Sequence, residues 1–140
     1  MTENDFWRSL GKAWENGVFL KLSGMMESME PEEQYLMAHT WLPRDFDKFS
    51  REDLVQMGTL LFKKSGQPNT KRAIMIVLAH QQNSKDALEL LELYNIMPDI
   101  GLEIFAELAL EESTLWNDEQ WEEPFLKEQR AVYYINANIA

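Results

Sequence analysis

Carboxylates are the chemically conspicuous residues of this chain, and they are unevenly spread. Between Lys85 and Lys127 lie 41 residues with no Lys or Arg and twelve Asp or Glu. Within that segment Asp99, Glu103, Glu107 and Glu111 recur every fourth residue, which on a helix makes one stripe of like charge that local helix energetics disfavours. Such a stripe suits a basic partner. Trp116 and Trp121, set among Glu111, Glu112, Asp118, Glu119, Glu122 and Glu123, extend the expected partner-binding set, because aromatic faces and carboxylates both attract cations. The competing structural readings are a solvated acidic face and aromatics that belong to the core. Three like-charged pairs cost roughly 1 kcal/mol together, small against a net stability of about 5 to 15 kcal/mol.

No other residue set carries recognisable chemistry along the chain. With 24 acids, pairs of carboxylates meet by chance, so no general acid and base stand out. Asp45-Phe-Asp47 followed by Glu52 and Asp53 alternates carboxylates like a calcium loop. Counted from Asp45, however, an EF-hand's ligand positions five and twelve fall on Phe49 and Gln56, and its glycine position on Ser50. Helix capping by Ser and Asp is the better account. The two histidines, His39 and His80, lack carboxylates at helical spacing: a Glu-x-x-His site would need Glu where Leu36 and Val77 stand. His80 is expected to cap carbonyls at a helix end, and His39 to pack near Tyr35 and Trp41. Ser23, Ser28, Ser65 and Ser113 sit in no nucleophile motif, and no glycine loop cradles a phosphate. The expected catalytic, metal and cofactor sets are therefore empty.

Composition narrows the class further. At 140 residues, 45% apolar and 11% aromatic, the chain reads as one globular domain over residues 1–140, and its net charge of -11 sits on a folded body. Acidity argues against nucleic-acid binding, which needs cations to displace counterions. The longest apolar run, residues 73–79, is far short of the ~20 residues that span a bilayer, and the N-terminus has no basic leader. Without cysteine, a reducing compartment fits, and the cytoplasm is the expected location.

The elements that must position these residues read as all-α. Apolar spacing predicts helices over residues 5–14, 31–41, 50–64, 70–81, 84–94 and 98–110, with a further apolar segment at 18–29. Asn16-Gly17 is the expected stop of the first, Pro31 opens the second and Pro43 ends it. Ser50 with Asp53, and Asn83-Ser84, supply caps, and Gly66 is a candidate left-handed cap. Pro98 is read as opening a helix that buries Ile100 and Ile104 along with Phe105 and Leu108. Asn117 with Gln120 resembles a capping box, Pro124 kinks or restarts that helix, and Phe125, Val132, Ile135 and Ile139 close the chain. The run Ala73-Ile-Met-Ile-Val-Leu-Ala79 is apolar on every side and must be covered on nearly every side, with Ile76 at its centre. Met25, Met26, Met29 and Met37 fill the core or line an adaptable groove.

Two helix pairs, residues 50–81 and 84–115, begin at caps 34 residues apart, the spacing of stacked helix hairpins. Pro68-Asn-Thr-Lys71-Arg72-Ala73-Ile-Met-Ile-Val77-Leu78 resembles the second-helix pattern of HEAT repeats: proline, a basic residue, small residues, then aliphatics. Gln67 stands where that family has Asp, and Pro98 is followed by Asp99-Ile-Gly-Leu-Glu103 without the basic residue. The resemblance implies a short α-solenoid that binds other proteins and catalyses nothing; an irregular helical bundle is the alternative architecture. The expected function is a non-catalytic, cytoplasmic interaction module, an adaptor, chaperone-like or immunity-type binder that turns an acidic helical face to a basic protein or peptide. Two other readings stand beside it. One is a small-ligand binder or enzyme with an inter-helix pocket of aromatic and carboxylate side chains; the other is self-association through a basic edge at Lys63, Lys64, Lys71 and Arg72.

Overall fold

The computed structural model describes residues 1–10, 26–41 and 49–117, and among them every regular element is helical. The all-α expectation holds. Helix α1 (Glu3–Ser9) opens with a capping box in which Asp5 N–H donates to the Thr2 hydroxyl and Thr2 N–H to the Asp5 carboxylate. Prolines open α2 (Pro31–His39) and α4 (Pro68–Ala79), where a missing N–H costs nothing. Ser50 caps α3 (Arg51–Phe62) by accepting from Asp53 N–H, and Ser84 caps α5 (Lys85–Ile96) by accepting from Ala87 N–H. The last described helix is α6 (Glu103–Trp116).

Helix α4 is the hub, because residues 73–79 of its sequence leave it no polar face to turn to water. Every residue from Asn69 to Ala79 is buried, Ile76 completely, and α4 packs against α2, α3, α5 and α6. At about 1.5 to 3 kcal/mol for each large side chain removed from water, this helix supplies a large share of the driving force. The pairs α3–α4 and α5–α6 also pack on each other, α3 against α5 and α4 against α6. Gly58 permits the first contact: a Cβ there would lie 2.7 Å from Leu90 Cδ2. Buried Trp7 ties α1 to the start of α4, its indole N–H donating to the Thr70 hydroxyl at 3.1 Å.

Several expectations are corrected. Gly66 is not a left-handed cap; the positive-φ positions among the described residues are Asn83 (54°) and Gly101 (90°). Its lack of a side chain instead gives room, since a Cβ would sit 3.3 Å from the Lys63 carbonyl. Pro98 does not open a helix. The chain turns through Gly101, whose positive φ interrupts right-handed winding, and α6 starts only at Glu103. Ile100 is consequently 99% exposed and Ile104 partly so, while Leu102, Phe105, Ala106 and Ala109 take the buried face. Asn117 terminates α6. Its side chain accepts from Ser84 N–H at 2.7 Å and donates to the Gln81 carbonyl, pinning the α4–α5 connection. The expected stop at Asn16-Gly17, most of the 18–29 segment, Pro43, Asp45, Asp47, Gln120, Trp121, Pro124 and the closing apolar stripe lie outside the described residues.

Candidate functional site

The acidic stripe survives in shortened form. Asp99 leaves it, because its carboxylate turns inward to accept from Lys71 Nζ at 2.6 Å and from the Tyr94 hydroxyl at 2.5 Å. Partial burial alone would raise its pKa, but those two hydrogen bonds and the Lys71 charge outweigh it and hold the carboxyl below its usual range. Burial and the bond to Asp99 push the Tyr94 phenol up. Glu103, Glu107 and Glu111 remain exposed along α6, and Glu103 also accepts from Gly101 N–H with both oxygens at 3.0 Å. At the α5–α6 turn, which precedes Glu103 in the chain, Ile96, Met97 and Ile100 stand 73%, 83% and 99% exposed. Trp116 lies apart from this turn, half-buried, with its ring centroid 6.5 Å from that of His80. Trp121 is outside the described residues.

The basic edge does not form as expected. Lys71 and Arg72 are 2% and 5% exposed, since they occupy the first turns of the helix that the whole molecule buries. Lys71 is engaged by Asp99, and Arg72 donates to the Asn69 side-chain oxygen at 2.7 Å. With Lys64 and Asp99 they line a cavity of about 360 Å³. Only Lys63 and Lys64 of the four reach the surface.

Three helices converge on a cluster that helix-by-helix reading passes over. His39 ends α2, His80 follows α4 as its C-cap, and Glu112 projects from α6. Because α4 packs against both α2 and α6, the side chains meet: His39 Nε2 lies 3.3 Å from Glu112 Oε1 and His80 Nε2 3.2 Å from Glu112 Oε2. Both rings are oriented from behind. His39 Nδ1 is 2.7 Å from the Tyr35 carbonyl and His80 Nδ1 is 2.8 Å from the Ile76 carbonyl, each one helical turn back. A carbonyl only accepts, so each Nδ1 carries the hydrogen and each Nε2 faces Glu112. The capping role expected of His80 is thus present, with a second partner beyond it.

Tyr35 completes the cluster by donating its hydroxyl to Glu112 Oε1, and its ring meets those of His39 and Phe105 edge-on at 4.9 and 5.1 Å. Burial would raise the Glu112 pKa, but hydrogen bonds from both histidines and Tyr35, with the His80 charge, bring it down to about 2. Burial would lower that of His39; the bonds to Glu112 and the Tyr35 carbonyl, and the Glu112 charge, raise it instead. The Tyr35 phenol is pushed up, by burial first and then by the Glu112 charge. His39 Nε2, His80 Nε2 and a Glu112 oxygen all lie within 4.8 Å of one another, a set of atoms with metal-ligand character. The one sequence signal was His80 itself, a titratable ring directly after the apolar run of residues 73–79.

No family model, curated protein or solved structure matches this chain. No helix among the described residues is long and apolar enough to cross a membrane.

Proposed function

We propose that this chain is a protein–protein interaction module whose binding face combines the exposed acids of α6 with the apolar α5–α6 turn, and whose partner is a basic amphipathic helix. The observation that carries this reading is the strong exposure of Ile96, Met97 and Ile100 at the turn that leads from α5, with exposed Glu92, into α6, with exposed Glu103 and Glu107. Large apolar side chains at a surface gain by association, and the acids beside them select a partner whose apolar stripe is flanked by Lys or Arg. The packed pairs α3–α4 and α5–α6 support a short helical-repeat scaffold. A chain without cysteine suits a reducing compartment such as the cytoplasm.

A fluorescently labelled Leu/Lys amphipathic peptide and its Leu/Glu counterpart test this by anisotropy at low and high salt. Only the Lys peptide should bind, more weakly as salt rises, and Ile100→Asp should abolish binding without lowering the melting temperature. Equal binding of both peptides, or binding that Ile100→Asp leaves untouched, overturns the reading.

A further inference from the structure

Two imidazoles and one carboxylate from three separate parts of the fold bring their ligand atoms within 4.8 Å of one another. With Nδ1–H committed to backbone carbonyls, a neutral His39 or His80 presents its Nε2 lone pair to a carboxylate that offers only lone pairs in return. Protonation of the rings turns each contact into an ion pair, and a metal cation held among the three groups relieves the same conflict while leaving the rings neutral. Neighbouring donor atoms on a tetrahedral zinc ion, with bonds of about 2.0–2.2 Å, lie about 3.3 Å apart. His39 Nε2 and His80 Nε2 lie 3.3 and 3.2 Å from different oxygens of Glu112, and one oxygen with both nitrogens falls within 4.8 Å, so a small closing movement of the side chains would complete such a shell.

We propose that His39 Nε2, His80 Nε2 and the Glu112 carboxylate bind a single first-row divalent transition-metal ion, with zinc as the expected occupant. The surroundings are those of a ligand set held in advance. Each imidazole is oriented through Nδ1–H to a backbone carbonyl, and the Tyr35 hydroxyl holds the carboxylate. Two nitrogens and one carboxylate favour zinc or its first-row neighbours over calcium and magnesium, which prefer all-oxygen shells. The side chains of His39, His80 and Glu112 are 30%, 17% and 22% exposed, so an ion enters from solvent and its remaining coordination position falls to water or an added ligand. Because α2, α4 and α6 each contribute one ligand, the bound ion also joins three helices.

The test is titration of the chelator-stripped full-length protein with Co²⁺, read by visible d–d absorption, and with Zn²⁺, read by calorimetry. One equivalent should bind, the cobalt spectrum should be of low-symmetry four- or five-coordinate type, and excess Ca²⁺ or Mg²⁺ should not displace it. Glu112→Gln, close in shape to the parent, and His80→Gln should each weaken Zn²⁺ binding about 100-fold or more. Tyr35→Phe, which retains all three ligands, should weaken it about 10-fold or more through loss of the orienting bond. Zinc should raise the melting temperature of the parent but not of Glu112→Gln. Absence of a stoichiometric site in the folded parent overturns the proposal. So does a site unchanged in Glu112→Gln, which would show the ion held by acids elsewhere on this negatively charged surface.

Discussion

At the residue scale, the Lys71–Asp99 pair shows how a charge that reads as surface in the sequence becomes structural. Lys71 is almost fully buried and Asp99 is its ion-pair partner, so removing the carboxylate leaves an ammonium in the core with its compensation gone. Because the Asp99 side chain is 35% exposed, water moderates the loss, and Asp99→Asn should cost about 2 kcal/mol at neutral pH. The sign of the shift sets the pH dependence. The folded-state pKa of Asp99 lies below the ordinary value of 3.8, so its contribution is fully present above about pH 4 and fades as pH falls through the folded value. Urea midpoints at pH 7 and pH 3 check this, and the gap between parent and Asp99→Asn should narrow in acid. Ile76→Asp is a harsher test of the same core, since a carboxylate on the fully buried middle of α4 has no partner there. Circular dichroism should report an unfolded chain at 25 °C.

At the element scale, the start of α6 is set by Gly101 rather than by Pro98. With φ at 90°, Gly101 adopts a conformation that side chains resist, and no atom lies within 4 Å of where a Cβ would point. Gly101→Ala therefore isolates backbone strain from steric crowding and should destabilise by about 1 to 2 kcal/mol, with an unchanged denaturant m-value. Gly101→Asn should recover part of that loss, because Asn tolerates positive φ better than Ala. The turn has a functional consequence too. By ending helical winding before Glu103, it lifts Ile100 out of the core and leaves it exposed at the approach to α6.

At the scale of the whole molecule, stability and recognition should pull against each other on α6. Glu107 lies one turn from both Glu103 and Glu111, all exposed, so Glu107→Lys converts two repulsive pairs into attractive ones. Thermal or chemical denaturation should show a gain of a few tenths to about 1 kcal/mol. The same variant should bind the Leu/Lys peptide more weakly, with the larger difference at low salt, where exposed charges act over longer distances.

The sequence by itself determined most of the helix starts, because caps, prolines and apolar spacing act within a few residues: Ser50, Ser84, Pro31 and Pro68 all start helices where local chemistry places them, and Pro98 is the exception. It also determined that α4 lies at the centre, since a stretch like residues 73–79, apolar on every side, has no other place in water. Tertiary structure alone decided which polar residues serve the interior and which the surface. Asp99 and Lys71 looked like members of opposite surface patches, and only the packing of α4 beside the α5–α6 turn made them partners. The candidate metal site was hidden for the same reason. Helical periodicity relates residues three or four apart, whereas His39, His80 and Glu112 stand on three separate elements. Their ligand atoms come within 4.8 Å of one another because α2 and α6 both pack against α4.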